Sequence, residues 1–119
     1  MQVLFDSRDP EGAVVRPFAE RRVRFALRRL SWLVPRARVQ LSDVNGPRGG
    51  IDKCCRIELD AAGARPVLVT ALARDWWAAI DQAVTRAARM LLRAWRRAKR
   101  HELRRPADAR LVFATEMRS

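Results

Sequence analysis

The stretch WWAAIDQAVTRAARMLLRAWRRAKRHEL, residues 76–103, constrains the chain more than any other. At 100° per residue, Ile80, Val84, Ala87, Leu91, Ala94 and Ala98 recur in steps of three and four and fall on one side. That side has to be buried. The opposite side carries Arg86, Arg89, Arg93, Arg97 and Arg100, with Arg96 beside them, and no acidic residue lies between Arg86 and Arg100. The spacing predicts an amphipathic helix roughly 40 Å long at 1.5 Å per residue. One face would be covered by the rest of the domain, and the other would be a cationic rail several phosphates long.

What covers the apolar face must come from the remainder of 119 residues, enough for one domain with a single core at 49% hydrophobic content. The 25 Lys and Arg outnumber the 13 Asp and Glu, giving a formal net charge of +12. Such an excess bears on partners rather than on fold. Apart from Lys53 and Lys99 the cations are arginines, which suit bidentate phosphate contacts and stacking on bases. The two cysteines, Cys54 and Cys55, are adjacent, and neighbours in a strand point to opposite faces, so a disulfide between them is not expected. The opening MQVLFDSRDPEG lacks the long apolar run of a secretory signal, and no window approaches eighteen consecutive apolar residues. The expectation is a soluble, cytoplasmic, basic protein.

Along the chain, residues 2–6 read as a short strand closed by the turn-rich SRDPEG. A helix is predicted from about Val15 to Pro35, with Pro17 in its first turn. Its apolar stripe is Val15, Ala19, Val23, Ala26, Leu30 and Leu33; Arg21, Arg24 and Arg28 lie opposite, and Leu27 fits neither side. Residues 37–44 alternate with period two, as do 51–60, where Cys55, Ile57 and Leu59 share a face. NGPRGG links these strands, and AAGARP leads to a fourth strand at 67–73. Asp75 is the predicted N-cap of the long helix, and Pro106 its end. The order β-α-β-β-β-α predicts an α+β two-layer sandwich with two helices on one face of a four-stranded mixed sheet. Strands 1 and 2 should be parallel, joined by a right-handed crossover, and the other pairs antiparallel. Residues 1–105 form the expected domain and 106–119 a short tail.

At the junction of the fourth strand and the rail, DWWAAID resembles the ribosome hibernation-promoting factors and ribosome-associated translation inhibitors. That family's pattern is an acidic residue, any residue, an aromatic, a small pair, Ile and Asp, then a basic amphipathic helix. Here the pattern falls on Asp75, Trp76, Trp77, Ala78, Ala79, Ile80 and Asp81. DKCCRIEL is similar to a second family stretch through Asp52, Lys53 and Ile57. The resemblance, which covers about residues 1–103, implies a domain that binds the small ribosomal subunit between head and body, over the decoding region. There it would overlap the mRNA and tRNA sites, stop translation and preserve idle ribosomes, with no reaction catalysed and no cofactor. It implies rRNA contacts by Arg86, Arg89, Arg93, Arg97 and Lys99, with Arg22 from the first helix, and a motif role for Asp75 and Trp77. Arg96, Arg100, Arg21, Arg24 and Arg28 join the expected rRNA surface by their place on the two exposed faces. Trp77 departs from the family's usual tyrosine, and Trp95 stands where a basic residue is common. Long members carry a second, dimerising domain; this chain reads as the short form, a monomer off the ribosome.

Other readings are available. A double-stranded-RNA-type domain would begin with a helix and place lysines at the start of its last helix, where this chain has DWWAAID. A protein-interaction module could use the amphipathic helix or the short apolar run at 111–114. A membrane-surface module would need the apolar face free for lipid. Asp75 and Asp81 read as a cap and a first-turn partner of the helix dipole, not as an acid and base. A zinc site would need more ligands than the two cysteines and His101 offer.

Overall fold

The computed structural model describes residues 1–44, 52–63 and 65–104, the side chains of 101–104 excepted. Strand β1 (Gln2–Ser7) is followed by a four-residue helix α1 (Pro10–Ala13), helix α2 (Arg16–Ala26) and a 3-10 turn (Ser31–Leu33). Strands β2 (Arg36–Asp43), β3 (Lys53–Asp60) and β4 (Val67–Ala73) then lead into α3 (Trp76–Arg104). The sheet runs β1-β2-β3-β4. β1 pairs with β2 in parallel, Val3 against Ala37, and the other two pairings are antiparallel. This is the expected α+β two-layer sandwich.

Period two in the strands puts every second side chain into the core. Ala37, Val39 and Leu41 of β2, Cys55, Ile57 and Leu59 of β3, and Val67, Val69, Ala71 and Ala73 of β4 are buried in register. Val15, Ala19 and Val23 from the first helical segment, and Trp76, Ile80, Val84, Ala87 and Leu91 from α3, close on them. The neutral form of Cys55 is what this interior accepts: burial pushes its thiol up to about 12.

Three expectations need correcting. The DPEG segment is helical rather than a plain turn: Asp9 caps α1 by accepting from Glu11 N–H at 2.9 Å, and Pro10 takes the first turn. Buried Gly12 lies so close to Ser7 that a Cβ there would collide with the hydroxyl. Second, the helix expected to reach Pro35 stops at Ala26, and the chain turns through 27–30 into the 3-10 turn. This explains Leu27, which fits no helical stripe but is buried once the helix has ended. Third, the apolar side of α3 is covered only as far as Leu91. Ala94 is half-buried and Ala98 is exposed, so the cover of the helix thins after Leu91 and is gone at Ala98. The NGPRGG linker, residue 51, Pro106 and the 106–119 tail lie outside the described residues.

Candidate nucleic-acid interface

Asp75 starts α3 as its sequence position predicts. Its Oδ1 accepts from Ala78 N–H at 2.7 Å, and its carbonyl accepts from Ala79 N–H. The cap fixes the phase of the helix, and the two tryptophans after it diverge by about 100°. Trp76 is 5% exposed and enters the core; Trp77 is 54% exposed. Beside Trp76, Lys53 Nζ lies 5.2 Å from the indole centroid and 2.6 Å from Asp43 Oδ2. That hydrogen bond holds the Lys53 ammonium above its ordinary value, against a smaller opposing effect of burial. Asp52, also in the DKCCRIEL stretch, is 1% exposed with Lys53 as its ion-pair partner at 4.0 Å. These family-like residues therefore brace the end of the sheet against the start of α3.

The cap also aims the rail. Arg86, Arg89, Arg93, Arg96, Arg97, Lys99 and Arg100 are all exposed. By helical phase Arg89 points directly away from the buried side, while Arg86, Arg93 and Arg97 lean toward β4. Arg86 Nη1 approaches the Thr70 carbonyl at 3.4 Å, near the outer limit of a hydrogen bond. Arg93 and Arg97, with Arg65, Pro66, Val67, Met90 and Ala94, line an open groove of about 580 Å³ between α3 and the start of β4. On its other flank α3 meets α2, where Arg21, Arg24 and Arg28 are exposed. The exposed arginines of both helices thus belong to one helical layer.

Three site residues, Arg22, Asp81 and Arg28, make contacts within the chain that the sequence did not predict. Arg22 is not free for a partner. Its Nε and Nη2 both donate to Asp81 Oδ1, at 3.0 and 2.5 Å, bridging α2 to α3. Asp81 accordingly is no first-turn dipole partner: it sits in the second turn of α3 as the acceptor of that bridge. Arg28 folds back on its own helix end, donating to the Phe25 carbonyl at 2.7 Å with its guanidinium 4.1 Å from the Phe25 ring.

Sequence reasoning missed one cluster. Of Trp32 and Trp95, expected to pack between helix and sheet or at an edge, Trp95 packs partly against the core and also meets Trp32. Their ring centroids are 6.2 Å apart at 86°, and Trp32 is 67% exposed. Lys99 Nζ stands 4.8 Å from the Trp95 centroid. Only the long separation of the two tryptophans in sequence hid this; the signal was the presence of large aromatics inside two acid-free, arginine-rich segments.

Fold and surface together define a class: a small α+β sandwich whose helical layer faces outward as a nearly uncompensated cationic sheet. Solved structures share the fold. One is a ribosomal subunit interface protein from Coxiella burnetii, with a TM-score of 0.61 at 12% identity, covering 78% of this chain and 96% of that one. Another is the N-terminal domain of Protein Y from Thermus thermophilus, with a TM-score of 0.57 at 27% identity, covering 78% and 98%. The Thermus structure, at 27% identity, agrees with the family resemblance read from the sequence. No family model and no curated protein matches the sequence.

Proposed function

We propose that the chain is a ribosome-binding translation inhibitor that occupies the mRNA and tRNA channel of the small subunit and holds rRNA through its phosphates. The carrying observation is the outward side of α3, where seven exposed cations from Arg86 to Arg100 stand in a stretch, 82–100, that contains no acidic residue. Without local carboxylates the mutual repulsion of the guanidiniums is not offset along the helix, and a polyanion relieves it. The name of one structural neighbour, a ribosomal subunit interface protein, supports a ribosomal partner. Shape and backbone contacts dominate this mode of binding, because side chains do not read the deep groove of A-form RNA. The mechanism is steric occlusion, with no cofactor and no chemical step.

On this reading the binding unit is 1–105, a monomer in the cytoplasm when off the ribosome, and its use is the preservation of idle ribosomes in stationary phase or stress. Arg86, Arg89, Arg93, Arg96, Arg97, Lys99, Arg100, Arg21 and Arg24 are its phosphate contacts, while Arg22 orients α2 against α3. The membrane-surface alternative loses its basis, because the apolar side of α3 is already covered by β3 and β4 up to Leu91. The test is charge reversal at Arg89 and Arg93, both exposed, in one variant. The variant is expected to keep the wild-type circular dichroism and melting temperature and to lose co-sedimentation with isolated small subunits; retained co-sedimentation would overturn the reading.

A further inference from the structure

We propose that the ring surface formed by Trp32 and Trp95 is a stacking site for an unpaired nucleotide of bound RNA, a contact to a base added to the phosphate contacts above and resting on that reading. Trp32 belongs to the 3-10 turn between α2 and β2. Its neighbours Leu33 and Val34 are buried, whereas its own ring stands 67% exposed. The ring is also held. Its Nε1 donates to the Arg29 carbonyl at 3.2 Å, and Trp95 of α3 meets it edge to face. An edge-to-face pair occupies one face of only one of its two rings, so open π-surface remains for a third ring.

The surroundings favour a nucleotide over an apolar partner. Lys99 already lies over Trp95, and Phe25, 59% exposed on the last turn of α2, carries Arg28 on its face. The two segments that meet here, 21–42 and 82–100, each carry seven cations and no Asp or Glu. Aromatic rings set among such cations are the means by which proteins hold unpaired strands: the ring takes the base and the cation takes the phosphate beside it. Unpaired loops are also where a protein can reach base faces in structured RNA. The site therefore selects RNA with a splayed base over a perfect duplex, which the arginine rail alone would not do.

The experiment compares the full chain with Trp32→Leu and Trp32→Phe on two RNAs of equal phosphate number, a hairpin with a five-nucleotide loop and a blunt duplex. The wild type is expected to prefer the hairpin and to show indole quenching on binding it. Trp32→Leu should weaken hairpin binding by roughly 5- to 150-fold, the range known for removal of a base-stacking ring, with much of the quenching lost. Trp32→Phe should retain most of the hairpin affinity, and duplex binding should be the same in all three. Because Trp32 is exposed, thermal melts should match. Equal hairpin affinity for wild type and Trp32→Leu would overturn the stacking site while leaving the rail intact, as would equal losses on both RNAs. Failure of the wild type to bind either RNA would overturn both proposals.

Discussion

Arg22 and Asp81 show how a single pairing changes the meaning of a charge. Both sit on the cationic layer, 59 residues apart in sequence, and only the packing of α2 on α3 brings them together. Their exposure limits what the pair adds to stability to about 0–1 kcal/mol. Its larger effect is on binding, since it removes one guanidinium from the surface that meets phosphate. Asp81→Asn is accordingly expected to leave the urea midpoint nearly unchanged. It should also raise RNA affinity and steepen the log–log salt dependence by about one phosphate contact. An unchanged slope in filter binding would show that Arg22 stays out of the interface even when released.

At the scale of elements, α3 divides into an anchored part and an overhang. From Trp76 to Leu91 its apolar side is locked onto the sheet; beyond, from Arg96 to Arg100, every side chain is exposed. Leu91→Ala should therefore cost about 2–5 kcal/mol in urea unfolding, as removal of a buried leucine does. Ala98→Gly should cost no more than about 1 kcal/mol, the loss of helix propensity alone. Equal losses would mean that the overhang is packed after all. The strands and the anchored helix were legible in the sequence because alternation and the 3.6-residue period each report a single element on a single surface. β4 falls on the predicted 67–73, and Asp75 caps α3 as predicted. What the periods do not carry is where an element outruns its cover. Ala98 keeps the apolar spacing with nothing above it, and α2 stops at Ala26 although Leu30 and Leu33 continue its stripe. The Trp32–Trp95 contact and the Arg22–Asp81 bridge were hidden for a related reason, since each joins residues from segments whose approach is fixed by tertiary packing.

The whole molecule combines a mostly apolar interior with a formal net charge of +12. The sheet supplies rigidity: it closes the apolar side of α3 and sets the direction of its arginines. The two helices then place those arginines, with the tryptophan pair, on one side of the domain. The central claim is that this layer meets rRNA phosphate, and its most direct test is sedimentation of the wild-type chain with purified small subunits across salt concentrations. If six to ten phosphates are neutralised, affinity should fall by about 10³- to 10⁵-fold between 50 and 200 mM salt. Binding that persists unchanged over that range, or a chain that stays at the top of the gradient at 50 mM, would contradict the account.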